Sequence, residues 1–274
     1  MTEHDAVTAS SLPLTVDLLV EQFAACGLQA GQTVLVHSSM SRLGWVAGDG
    51  QAVIMALLRV LGDSGTLVMP THTATNTDPA NWRSRAVPEA WWPHIRAYMP
   101  AFDPARTPSS MMGKLPELFR TWPHVLRSNH PIGSFAAHGP QAAALTAPQP
   151  LEPMFGDDSP IGRLYKLDGY VLLLGVNHEN NTSLHLAEYR ADFPKRWRRD
   201  GSAALVDGVR QWVPFEMMRL TNNDFNLLGA AYEAQIGYTP GKVGSADARF
   251  LRQRPLVDFA VGWMGANRRD MVYS

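Results

Sequence analysis

Between residues 178 and 188 the chain places His178, Glu179, His185 and Glu188 within eleven positions, directly after the apolar run Leu172–Leu174 and a glycine. An imidazole exchanges protons near neutral pH, and a carboxylate three residues further along a helix shares its face and can hold one tautomer. A helix that begins near Asn181 or Thr182, capped by Thr182 or Ser183, would give His185 and Glu188 that relation. Three chemistries compete for them. As metal ligands the H-x-x-E spacing lacks the second histidine of helical zinc motifs, and His178 belongs to another element. A serine hydrolase needs a nucleophile elbow, and no G-x-S-x-G string occurs. A histidine general base remains, with equal weight on the plainer reading of a buried histidine bonded to backbone.

Two further stretches could meet that helix. In VHSSMSRLGWV (residues 36–46) a strand ends in serines, and ligands collect where strands of a parallel sheet end. Ser38 and Ser39 could hold a phosphate or polarise a carbonyl there, or simply cap the turn. In RSNHPIGSFAAHG (127–139) a turn before proline leads to a short strand carrying Ser134, and His130 reads as a satisfied turn residue.

The elements that must position these groups alternate along the first third. LTVDLLVEQFAACGL and GQAVIMALLRVLG have helical spacing, QTVLVHS and GTLVMP are short buried strands, and GYVLLLGV (169–176) is a third. This order predicts βαβ units and an α/β fold around a largely parallel, buried sheet. Residues 73–110 break the rhythm with many prolines and with Trp82, Trp91 and Trp92, which predicts an ordered flap. SAALVDGVRQWV (202–213) predicts a hairpin turning at Asp207-Gly208. Helices are expected from about Asn223 to Gln235 and from about Ala246 to Phe259. The 274 residues then form a single domain, with a smaller lobe built from insertions at about 73–110 and 195–222.

Bulk properties narrow the class. With 24 basic and 25 acidic side chains the formal charge is −1, which argues against a nucleic-acid partner. The lone Cys26 excludes an intrachain disulfide framework and reads as a small buried residue. No apolar stretch reaches membrane-span length and the N-terminus is polar, so a soluble cytoplasmic protein without a membrane partner is expected.

Together LVHSSMSRLG, GTLVMPTHT, TDPANW, PSSMMGKLPELFR, RSNHPIGSFAAHG, NTSLHLAEY, an Asn-Asp-Phe and VGSADARFL, in this order, resemble the aminoglycoside 3-N-acetyltransferase family over most of the chain. The resemblance implies transfer of the acetyl group of acetyl-CoA to the 3-amino group of the 2-deoxystreptamine ring of an aminoglycoside antibiotic, and hence resistance. It implies a three-layer α/β/α fold with a central largely parallel or mixed sheet and no metal, and it leaves room for a homodimer. It gives His185 the place of the general base, with Glu188 and Asp224 as the acids near it. Ser38, Ser39, Ser110, Met112, Gly113, Arg127 and Ser134 fall to the CoA side. Asp78, Glu179, Asn222 and Asp224 fall to the substrate side, Asn222 standing where some members carry glutamate. A polycationic substrate further calls for an acidic pocket, from Glu152, Asp157, Asp158, Asp168, Glu233 and the acids already named. Two alternatives stay open: an acyl-CoA-dependent N-acetyltransferase for another amine, and a CoA-binding module without catalysis.

Overall fold

The structure, a computed structural model, describes residue 7 and residues 12–82 and 86–269. The polar N-terminal stretch lies almost wholly outside them.

Thr15 opens α1 (Val16–Ala25), its hydroxyl accepting from the Leu18 N–H, and the helix buries Leu19 and Phe23. Next come β1 (Thr33–Ser38), the short α2 (Met40–Leu43), α3 (Asp49–Leu61) and β2 (Thr66–Pro70). The flap carries α4 (Trp92–Tyr98) and leads into α5 (Lys114–Phe119), β3 (Leu126–Arg127), β4 (Phe135–His138), α6 (Ala142–Leu145) and α7 (Pro160–Lys166). Then follow β5 (Tyr170–Leu174), α8 (Ser183–Arg190), the hairpin β6 (Trp197–Val206) and β7 (Val209–Met218), α9 (Phe225–Ile236), β8 (Gly241–Val243), β9 (Ala246–Arg252) and α10 (Gln253–Asn267).

Seven strands make one mixed sheet in the order β3-β4-β2-β1-β5-β9-β8. Its centre is parallel, β1 pairing with both β2 and β5, and its flanks are antiparallel. Alternation along each strand splits the core in two. Val34, Val36, Leu172 and Leu174 pack with α1 and α3, whereas Leu35, Val171 and Leu173 pack with α8, α9 and α10. A three-layer α/β/α arrangement results. Because β1, β2 and β5 run the same way, their carboxyl ends open on one edge and deliver His37-Ser38, His72 and Gly175-Val176 together.

The hairpin stands apart from this sheet and is longer than the alternating stretch suggested. Asp207 and Gly208 both have positive φ, 51° and 77°, as a two-residue hairpin turn requires. The flap is stitched to it: Phe102 N–H donates to Ala203 O at 2.9 Å, Asn81 Nδ2 to Arg199 O at 3.0 Å, and Arg210 Nε to Met99 O at 3.1 Å.

Two expectations need correction. The helix expected over 246–259 begins only at Gln253, because residues 246–252 pair with β5 on one side and β8 on the other. Small buried Ala246 and Ala248 alternating with exposed Asp247 suit that two-sided strand. Cys26 is half-buried rather than buried, its thiol against Lys242 O. Among the described residues no helix is long and apolar enough to cross a membrane.

Candidate active site

Helix α8 sets the reactive pair. Thr182 takes the N-cap position of its first turn without a side-chain cap bond, and Asn181 just before it accepts at Oδ1 from the Ser183 N–H at 3.2 Å. One face of α8 then carries both His185 and Glu188, and His185 Nδ1–H donates to Glu188 Oε2. Phe155 stacks on the imidazole, centroids 5.4 Å apart and planes at 13°, and Phe225 packs against it at 5.0 Å. With Nδ1 bound to a carboxylate, Nε2 keeps its lone pair and the ring lines a cavity. That is the geometry of a proton acceptor.

Behind the pair lies a cation that the motifs did not point to. Arg268, just past α10 and 1% exposed, donates from Nη1 to Glu188 Oε1 at 2.6 Å and from Nε to Asp224 Oδ2 at 2.8 Å. Its guanidinium also lies over the rings of Phe193 and Phe225. Asp224, expected as an acid near His185, makes no hydrogen bond to the imidazole among the described residues. Asp224 holds Arg268, Arg268 holds Glu188, and among the described residues Glu188 is the carboxylate hydrogen-bonded to the imidazole.

The cavity at His185 measures about 420 Å³, and its walls include His37, His72, Ser110, Phe155, Glu179 and Asn222. A second cavity of about 880 Å³ opens beside it along the loop from Ser38 to Asp49 and the segment from Met111 to Leu115. Ser38, Met111, Met112, Val176 and Asn180 line both, so the two share a wall. Gly113, with φ +85° and open space where a Cβ would stand, borders the larger one beside Lys114. Among the described residues no group of three His, Cys, Asp or Glu side chains is placed to hold a metal ion.

The sequence profile of the aminoglycoside 3-N-acetyltransferase family matches residues 35–265, the span that builds both cavities. The chain belongs to the aminoglycoside 3-N-acetyltransferase family. It is 42% identical over 258 residues to the SPbeta prophage-derived aminoglycoside N(3')-acetyltransferase-like protein YokD of Bacillus subtilis, covering 94% of each chain. Aminoglycoside N(3)-acetyltransferase VII of Streptomyces paromomycinus is 37% identical, with 96% of each chain covered. The crystal structure of YokD superposes with a TM-score of 0.95 over 98% of this chain and all of that one. The structure of AAC-IIIb, a binary complex with CoASH, gives 0.83 at 29% identity over 96% of this chain and all of that one. The protein is thus an acyltransferase by family.

Against that family's expectations the structure sorts the remaining residues. Ser38, Ser39, Met112 and Gly113 line the larger cavity, and Ser110 lines the cavity at His185. Arg127 and Ser134, expected on the CoA side, line neither of these two cavities. Arg127 Nη2 donates to Thr71 O at 2.7 Å and Nε to Ser134 Oγ at 3.1 Å, and Ser134 is fully buried. Burial pushes the Arg127 guanidinium down to about 10. They tie the chain just past β2 to β3, β4 and the flap, Arg127 Nη1 also donating to Pro104 O at 3.2 Å.

On the substrate side Glu179 and Asn222 line the cavity, with Asn222 Nδ2 donating to Glu179 O at 2.8 Å. Asp78 does not. Its carboxylate receives a two-pronged bond from Arg96 at 2.9 and 2.8 Å and belongs to the flap. The broader acidic field is also corrected. Asp157, Asp158, Asp168 and Glu233 are paired with Arg190, Lys166, Arg252 and Arg249. Glu179, whose Oε2 is held by Asn226 Nδ2, is the acid left at the cavity wall without a cationic partner among the described residues. The flap tryptophans 82, 91 and 92 line neither cavity. His130 is a satisfied turn residue: its Nδ1 accepts from the Ile132 and Gly133 N–H groups.

Proposed function

We propose that the protein transfers the acetyl group of acetyl-CoA to the 3-amine of a 2-deoxystreptamine aminoglycoside, in a direct ternary complex in the cytoplasm, and so confers resistance. The observation that carries this reading is the His185–Glu188 pair, with its imidazole lining one of two cavities that share a wall. The larger cavity suits acetyl-CoA: it holds about 880 Å³, has open space at Gly113 and is lined by Ser38, Ser39, Ser41 and Lys114. The cavity at His185 then takes the amine, with Glu179 attracting its charge.

An aminoglycoside amine arrives mostly protonated, and only its free base attacks a thioester. His185 Nε2 removes that proton and passes it to solvent, Glu188 stabilising the transient imidazolium through Nδ1, so the ring is neutral again when the amine attacks. A C–N bond forms, the C–S bond breaks, and the N–H proton lost in forming the amide passes through the imidazole to the departing sulfur. CoA leaves as the thiol. A metal has no step in this scheme.

One observation favours a second reading, transfer to a less cationic amine. A polycation profits from several unpaired carboxylates, and the cavity wall offers Glu179 with Asn222 beside it. Thiol release from acetyl-CoA across a panel of amines separates the two. Release with aminoglycosides alone supports the first reading, and release with simple amines at equal kcat/KM supports the second. Tight CoA binding with no release would leave only a binding module.

A further inference from the structure

Two more imidazoles enter the cavity at His185, and among the described residues neither hydrogen-bonds through its Nε2. Along β1, alternation turns Leu35 and His37 toward the α8 layer, so His37 sits on the same side of the sheet as His185. His72 follows β2 and is wedged between Phe135 and Phe155, ring centroids at 5.1 and 5.3 Å. The Nε2 atoms of both rings are buried. Leaving a buried donor unpaired is costly, and native structures rarely do so without a reason. Burial, with His185 nearby, pushes both rings down to about 3, so each is a neutral N–H donor at working pH.

Of the groups an acyl transfer brings together, the thioester carbonyl is the one that only accepts. It needs donors where negative charge will develop. The serine loop has spent several of its own. The Ser39 N–H donates to Leu174 O at 2.9 Å, its hydroxyl pairs with Ser41 Oγ at 3.2 Å, and the Ser110 N–H donates to His72 O at 2.8 Å. Both His37 and His72 border the smaller cavity alone, but His37 is followed in the chain by Ser38, a residue of the wall shared with the larger one.

We infer that His37 is a catalytic residue whose neutral imidazole donates a hydrogen bond to the carbonyl oxygen of the acyl thioester. The inference rests on the acetyl-transfer reading and adds to it the group that bears the oxyanion. As the amine adds, the carbonyl π electrons move onto oxygen and His37 N–H stabilises that charge. When the C–S bond breaks, the carbonyl re-forms and His37 is unchanged. A neutral donor suits this task better than a cation, since a second positive charge beside His185 would repel the incoming ammonium.

The test is isotope-edited infrared spectroscopy of acetyl-CoA, labelled with carbon-13 at the carbonyl, bound to the protein. Donation from His37 lowers the carbonyl stretch. In His37→Leu the band should return toward its undonated frequency, and kcat should fall by roughly 10²–10³-fold, the loss seen for one oxyanion donor. Affinity for acetyl-CoA should move less than about threefold. His37→Gln, which keeps an N–H donor and guards against a folding defect, should retain most of the band shift. An identical band in the parent and both variants overturns the assignment, as does a band that moves in His72→Leu but not in His37→Leu. Failure of the parent to bind acetyl-CoA would overturn the acetyl-transfer reading itself, and this inference with it.

Discussion

At His185 one ring nitrogen is committed to Glu188 and the other faces the cavity, so the carboxylates around it have separable duties. Glu188 touches the imidazole. Glu188→Gln keeps the shape but removes the charge that stabilises the imidazolium, and kcat should fall about 10²-fold, within the usual range for acid–base catalysis. Among the described residues the Asp224 carboxylate bonds to Arg268 alone, so Asp224→Asn should act on stability: a loss of about 1–3 kcal/mol by thermal melting, the scale of a weakened charged hydrogen bond. Its kcat should change less than about tenfold. A variant that melts like the parent yet loses as much kcat as Glu188→Gln would contradict the chain of contacts. The H-x-x-E spacing made the His185–Glu188 pair legible in the sequence. Arg268 was not legible, because it lies eighty positions beyond Glu188 and bears no motif. Without Arg268, a second acid could only be imagined beside the histidine.

Elements deliver these residues, and their delivery was partly readable. The strands ending at Ser38, Pro70 and Leu174 are buried apolar runs, and their parallel pairing makes their carboxyl ends a site by geometry. Residues 246–252 were misread because Ala and Leu suit a helix as well as a strand. Pairing with β5, which no local pattern encodes, decided for the strand. The short turn His178–Asn180, which carries Glu179 to the cavity wall, is fixed differently. His178 Nε2 lies 2.9 Å from Glu233 Oε1 on α9, and its ring packs flat on Gly229, where a Cβ would come within 2.1 Å. Gly229→Ala should push that turn away. The expected outcome is a lower Tm together with a raised KM for the amine and a nearly unchanged KM for acetyl-CoA. An unaltered amine KM in a destabilised variant would detach this turn from substrate binding.

Across the whole molecule, burial of neutral histidines links stability to pH. His37 and His72 are pushed down to about 3 and His130 to about 4, desolvation being the main cause in each. Between about 6.5 and those values the unfolded chain binds more protons than the native one, so stability is full above 6.5 and falls as pH drops. At pH 5.5 each of the three costs about 1.4 kcal/mol, on the order of 4 kcal/mol together. Tm should then be roughly 10 °C lower at pH 5.5 than at 7.5. Glu152, raised by burial, opposes this through a single group. A Tm that stays flat across this range would mean that these rings are not buried as neutral bases. The near-zero net charge was legible from composition, but the pairing of most acids with arginine or lysine was not, since partners such as Asp168 and Arg252 meet only in the fold.

The central claim is that His185 accepts the amine proton during direct acetyl transfer. Its most direct test is single-turnover transfer from preformed complexes of acetyl-CoA with the parent and with His185→Asn, mixed with saturating aminoglycoside. The predicted result is a rate roughly 10²–10⁴-fold lower in the variant, with acetyl-CoA affinity unchanged. Equal single-turnover rates in the two proteins would contradict it.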